Sequence, residues 1–503
     1  MKPSGVRHKC AQIFRAMGET SLLRFSALDV SVVLGVCAFI VAWKFLSLDY
    51  SAFQDLLPGV PLYSYSWGWV NALADSIHRF FIAIPSLIHV VQIGAALLIV
   101  VGALRLSKVL LIPGLIGVIA VELVAIQFRA FLYDMDIPVA ALLIAMLFSW
   151  QPLTKPTCVA SSEATRIGLA LAAFIGCAYL LAGWSKFSAD PLWFMHTRLD
   201  LLYPVMDVWH SIRFTPWMEP IAKGLSQLFA AAPLIGTIAS LVTILSEFFW
   251  WTSLLSRWAR LTISFIMLAS HLLIFLGSGI LFFSWAAIAI ALVMPWRAFR
   301  SPASDSAATA ASKAALRFDY KLALAILAGL AIPLTPTLLG GGLLPFPMAR
   351  YDIFGWSYAT LEGKSTAHRL GYRDPVTGQL AVIPIYHGGF FDFRSITGPA
   401  LEIQSLATAA KPELATESCN RLGQYVRALR DFGSDGWLLG PLQHPHHLVA
   451  ASKAVDPDLI TEPLLLRGDW IVTGTTANVT WQQIGSVERE ADGAISCHLD
   501  SSP

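Results

Sequence analysis

The sequence predicts a polytopic α-helical membrane protein of about nine spans with a C-terminal α+β extracytoplasmic domain. Three observations carry this. Of 503 residues, 56% are hydrophobic and 14% charged, at a mean hydropathy of +0.62. A soluble chain has about 25% charged residues, so too little polar surface is left to face water. Apolar runs long enough to cross a hydrocarbon core, which takes roughly 17–25 residues, recur up to residue 340, and Lys and Arg gather in alternate loops.

The N-terminal segment, 1–27, holds Lys2, Arg7, Lys9, Arg15 and Arg24 and is assigned to the cytoplasm by the positive-inside rule. It leads into a full-length apolar run with no small-residue cleavage site, so no cleavable signal is expected. A bundle of eight spans follows over 28–296, with runs at 28–48, 84–104, 109–127, 137–150, 167–185, 226–250, 261–277 and 279–296. The fourth is short. A cytoplasmic linker, 297–321, leads to a ninth span, 322–340, which places 341–503 outside, in the periplasm if the membrane is a bacterial inner membrane. No internal repeat is apparent.

Two outer loops, 49–83 and 187–225, are rich in aromatic residues such as Tyr63, Tyr65, Trp67, Trp69, Trp193, Trp209 and Trp217. Rings with polar edges favour the headgroup region, so these loops form either an aromatic belt or a lid over an outer-leaflet site. The tail beyond 340 has the charge density of a soluble domain, alternating stretches at Leu380–Tyr386 and Trp470–Gly474, and helical spacing over 412–432. Its two cysteines, Cys419 and Cys497, are a possible disulfide in an oxidising compartment. The six cysteines of the chain show no CxxC or Cys/His spacing, so no metal site is expected. A net charge of +2 without a basic stripe excludes a nucleic-acid partner.

Ionisable residues inside spans are costly and therefore informative. They are Lys44, His89, Glu122, Lys186, Glu247 and His271, and all but Glu247 fall in the outer leaflet. Lys44 is expected to snorkel to the interface. His89, with Gln92 one turn on, reads as an interhelical hydrogen bond, and Glu122 and Glu247 read as ion partners for residues such as Arg129 and Arg257. Lys186 follows Ala182-Gly183-Trp184, a small pair that lets a neighbouring backbone approach and desolvate the amine. Desolvation disfavours the ammonium form and would make Lys186 a base.

Three segments resemble the vitamin K-dependent γ-glutamyl carboxylases and the related horizontally transferred transmembrane (HTTM) proteins. Ala182-Gly183-Trp184-Ser185-Lys186-Phe187, with Asp190 and Trp193, is similar to the family's Ala-Gly-x-x-Lys segment. His271 with Gly277, Gly279 and Phe282-Phe283 is similar to its histidine-bearing span. In the tail, Tyr372-Arg373-Asp374-Pro375-Val376-Thr377-Gly378-Gln379-Leu380 resembles a strand and turn of the family, as do Asp456-Pro457 and Asp469-Trp470 its later segments.

The resemblance implies an enzyme that couples oxygenation of a reduced quinone to carboxylation of a glutamyl peptide, with dioxygen and carbon dioxide as co-substrates. Lys186 would be the base that deprotonates the quinol, and the strong base formed by its oxygenation would remove the glutamyl γ-proton. His271 would stabilise developing negative charge. His89, Glu122, Trp184, Asp134 and Asp136 become candidates for lining the quinone or substrate site. The family's Asn-His pair is replaced by Tyr133-Asp134-Met135-Asp136-Ile137-Pro138. Two carboxylates there would repel an anionic glutamate unless protonated or paired with Arg129. An alternative stays open: a maturation factor or membrane scaffold for an exported peptide or protein, without carboxylase activity.

Overall fold

The computed structural model describes residues 25–46, 50, 64–105, 107–127, 135–148, 162–196, 200, 202–204, 212–213, 217–254, 257–278, 283–294, 296, 320–338, 363–383, 386–387, 397–409, 411–431, 462–473, 476–489 and 495–500. It is mostly helical, with a small antiparallel sheet near the C-terminus.

Helix α1, Ala27–Phe45, starts at a capping box in which the Ser26 hydroxyl accepts from the Asp29 N–H at 3.1 Å and the Asp29 carboxylate accepts from the Ser26 N–H at 2.8 Å. There follow α2 (Gly68–Ala83), α3 (Leu87–Arg105), α4 (Lys108–Gln127), α5 (Asp136–Phe148), α6 (Ser162–Ala189), α7 (Glu219–Ala231), α8 (Pro233–Phe248), α9 (Arg257–Ser278), α10 (Phe283–Val293) and α11 (Tyr320–Leu338). Among the described residues five helices, α1, α3, α4, α6 and α9, are long and apolar enough to cross a membrane.

Every predicted apolar run has a helix, but not always one that passes this test. The run 226–250 is not a single helix. Ala232 leaves helical geometry, Pro233 starts a new helix, and α7 and α8 meet at 107°. Proline has no N–H and disfavours helix at the residue before it, so the break falls there. Among the described residues, helices α5, α10 and the apolar part of α11 are shorter than a full crossing. Of the two aromatic segments, 49–83 contains α2 and 187–225 runs into α7. Each buries one face and shows the bulk of its apolar remainder outward, with Trp69, Leu73 and Phe80 exposed on α2 and Ile221 and Leu228 on α7.

Close packing sets the centre of the bundle. Helix α11 lies against α6, where a Cβ at Gly329 would sit 2.2 Å from the Ala170 carbonyl oxygen. Helices α5 and α10 each pack on both α1 and α6.

The C-terminal sheet has strand order β3-β2-β5-β6-β7, from β2 (Gly363–Arg373), β3 (Leu380–Val382), β5 (Leu464–Thr473), β6 (Thr476–Arg489) and β7 (Ile495–Leu499). Helix α12 (Thr397–Thr408) packs on β2, and α13 (Pro412–Asp431) packs on α12 and β7. A disulfide joins Cys419 of α13 to Cys497 of β7, closing a loop of 78 residues. The Tyr372–Leu380 string is the β2–β3 hairpin. Asp374 Oδ1 accepts from the N–H groups of Val376 at 2.8 Å and Thr377 at 3.0 Å, and Gly378 takes φ +67°, a conformation glycine tolerates. A short parallel pair, β1 (Ile212–Arg213) with β4 (Tyr386–His387), ties the loop after α6 to this C-terminal part.

His368 on β2 faces Arg467 on β5. Burial, and then the charges of Arg467 and Arg369, hold its imidazole below the usual value of 6.5. The unfolded chain therefore takes up this proton first as pH falls. Stability from this site is complete above pH 6.5 and declines as pH drops toward the lowered folded value. Melting curves at about pH 8 and about pH 5 should differ less for His368→Gln than for the parent chain, and equal differences would refute this.

Candidate functional site

Tyr179, Ala182, Gly183 and Lys186 recur at helical spacing on one face of α6. Gly183 lets α8 come close: a Cβ there would meet Glu247 Cβ and Phe248 Cδ2 at 3.3 Å. That approach puts the Glu247 carboxylate on Lys186. The amine Nζ donates to Glu247 Oε1 at 2.7 Å and Oε2 at 2.8 Å, lies 3.4 Å from the Ala182 carbonyl, and sits 5.8 Å from the centre of the Trp193 ring. The lysine is 4% exposed, and the Glu247 side chain 13%.

The desolvation expected from the small pair is present, but its agent differs from expectation. The neighbour that closes over Lys186 brings a carboxylate, so the amine is one half of an ion pair and its surroundings are not purely apolar. Glu247, expected to serve arginines such as Arg257, is satisfied by Lys186.

His271 on α9 stands beside this pair, within electrostatic reach of Lys186. Its Nδ1 lies 2.9 Å from the Met267 carbonyl, so Nδ1 carries the hydrogen and Nε2 is the acceptor of the neutral ring. The anion-stabilising role expected of His271 would require the doubly protonated ring. Tyr179 meets His271 edge-on at 6.2 Å between centroids, stacks on Trp250 at 6.4 Å and meets Trp285 at 5.0 Å.

The other candidates fall elsewhere. Glu122 is fully buried in a second cluster, where it accepts from the Tyr50 hydroxyl and feels the charge of Lys44. Lys44, expected to snorkel, is instead 1% exposed. His89 lies in the first turn of α3, and its neighbour Gln92 donates to the Phe45 carbonyl at 2.9 Å. Trp184 is 55% exposed and points away from the pair, against Phe187. Asp136 stands in the first turn of α5, where a carboxylate is favoured by the helix dipole; Asp134 lies outside the described residues. Among the described residues no group of three His, Cys, Asp or Glu side chains could hold a metal ion.

Sequence reasoning missed Tyr179 and Tyr50. Tyr179 was legible as the residue two turns before Lys186 on the same face, whereas Tyr50 sits in an aromatic loop where no periodicity marks it. No protein-family model, curated protein or solved structure matches the chain.

Proposed function

We propose that the chain is a multi-pass membrane enzyme in which Lys186 and Glu247 move a proton of a reduced quinone. The reading takes nine crossings, a cytoplasmic N-terminus, and a C-terminal domain, 341–503, on the outer side. The β1–β4 pairing supports this sidedness, because the loop after α6 and the C-terminal part must then share one side. The observation that carries the chemistry is the buried amine–carboxylate pair beside the aromatic wall of Tyr179, Trp250 and Trp285.

A reduced quinone would supply the oxidisable ring and two hydroxyls. The protein must orient one hydroxyl toward an acceptor and give its proton a destination. His271 Nε2, kept as acceptor by the Nδ1 bond to Met267, suits the first task. The second falls to the ion pair, in which the Glu247 carboxylate takes the proton and the Lys186 ammonium, bonded to both of its oxygens, exchanges protons with it. The short contacts between them allow that exchange without water. Coupling of quinol oxygenation to carboxylation of a glutamyl peptide, or to maturation of an exported partner without carboxylation, follows from the same base.

The experiment is turnover of a reduced naphthoquinone by the reconstituted full chain in air, with a glutamate-containing peptide and carbon dioxide present. Lys186→Ala should lower quinol oxygenation by about 100-fold or more. The double variant Lys186→Met/Glu247→Leu, which leaves no buried charge unpaired, should be equally inactive. A wild-type rate in either overturns the proposal. Peptide mass then separates the two outcomes downstream of the base, since carboxylation adds one carbon dioxide per modified glutamate.

A further inference from the structure

Helices α2 and α7 and the helices after them repeat one another at a shift of 148 residues. Trp69 corresponds to Trp217, Ala74 to Ala222, Phe81 to Phe229 and Pro85 to Pro233. The buried face of α2, Val70, Ala74, His78 and Phe81, corresponds residue for residue to the buried Met218, Ala222, Ser226 and Phe229, and beyond the prolines Gln92 matches buried Ser240. The backbone agrees too. Ile84 (φ −133°, ψ 81°) and Ala232 (φ −134°, ψ 70°) make the same turn, each before its proline. The packing follows: α2 lies on α4 as α7 lies on α9, and α1 lies on α3 as α6 lies on α8. Two halves, α1–α5 and α6–α10, are therefore built alike.

The correspondence extends to the polar residues. Lys44-Phe45 ends α1 as Lys186-Phe187 stands near the end of α6. Helices α4 and α9 begin at Lys108 and Arg257, and at one common spacing from these stand Glu122 and His271. In each half the lysine is buried and within electrostatic reach of that residue. Glu122 differs in one respect. Its Oε1 accepts from Tyr50, while its Oε2 is buried with no hydrogen-bond partner. A buried acceptor left without a donor costs about 1–3 kcal/mol.

We propose that the Lys44–Tyr50–Glu122 cluster is the first half's own ligand site, equivalent in place to the Lys186 site, and that it takes a small neutral hydrophobe whose hydroxyl donates to Glu122 Oε2. Neutrality is required because the charge of Lys44 already acts on the carboxylate, and an apolar body is required by the core around it, Phe45 at 5.5 Å from the Tyr50 ring among it. The site does not depend on the quinol reading of Lys186.

The test is binding of radiolabelled 1-naphthol to the full chain in lipid nanodiscs, with naphthalene as the control for simple partition. The chain carries Lys186→Met/Glu247→Leu so that only the first site is read. Saturable naphthol binding is expected, weakened about tenfold or more by Glu122→Leu and partly kept by Glu122→Gln, whose amide oxygen still accepts. Tyr50→Phe, which frees Oε1 as a second acceptor, should bind more tightly. Naphthol uptake no greater than that of naphthalene overturns the proposal. So does unchanged affinity in Glu122→Leu that elutes and melts as its parent does, or in Tyr50→Phe should Glu122→Leu fail to fold. Saturable binding here with no quinol turnover by the wild-type chain would leave this site standing and remove the function proposed for Lys186.

Discussion

Glu247→Leu is expected to destabilise the folded chain by about 3–5 kcal/mol, because it leaves the Lys186 ammonium buried without its counter-charge. The pair is enclosed, with side-chain exposures of 6% for Lys186 and 13% for Glu247, and among the described residues Nζ also lies near the Ala182 carbonyl and the face of Trp193. Neither replaces a carboxylate. Removing both charges is a different experiment. Lys186→Met/Glu247→Leu exchanges the pair for apolar groups of similar volume, which is often neutral or stabilising. Thermal melts of the detergent-purified chain should therefore rank the double variant near wild type and Glu247→Leu far below. Equal melts for all three would mean that water reaches the pair.

Gly329→Leu should detach α11 from α6. A Cβ at this position would lie 2.2 Å from the Ala170 carbonyl oxygen and 3.1 Å from Ala173 Cβ, and the first obstacle is backbone that cannot rotate aside. Helix contacts of this kind depend on small residues that let backbones approach. Overpacking a well-filled interior by even one carbon costs roughly 1–3 kcal/mol, so Gly329→Ala should be measurably weaker and Gly329→Leu should lose the contact. A cysteine pair placed across the two helices in an otherwise cysteine-free chain would report it by crosslinking yield. Full yield in Gly329→Leu would show that the helices reach each other by another route.

Much of the helical layout could be read in advance because its cause is local. Capping at Ser26, the apolar length of α1, α3, α4 and α6, and the start of α13 at Pro412 each follow from residues a few positions apart. The break at Ala232–Pro233 was equally local, and it was missed because hydropathy averaged over a window ignores a single proline. The repeat was missed for a related reason. Few of its residues are identical, and the likeness lies in which positions are buried, a property that exists only once neighbours are in place.

The lysines show the same division. The sequence singled out Lys44 and Lys186 as ionisable residues inside apolar runs, and expected Lys44 to snorkel. Their surroundings came from residues far along the chain: Glu247 for Lys186 and Glu122 for Lys44. By itself the sequence determined that the chain is rich in apolar helices, where most of them begin and end, and that a sheet-bearing segment follows. Only the tertiary structure decided that Lys186 meets Glu247, that Lys44 lies within electrostatic reach of Glu122, and that Glu122 and His271 hold equivalent places in the two halves. Periodicity encodes which face of a helix is apolar, while a partner across the bundle is set by how faces are brought together, and that depends on every helix at once.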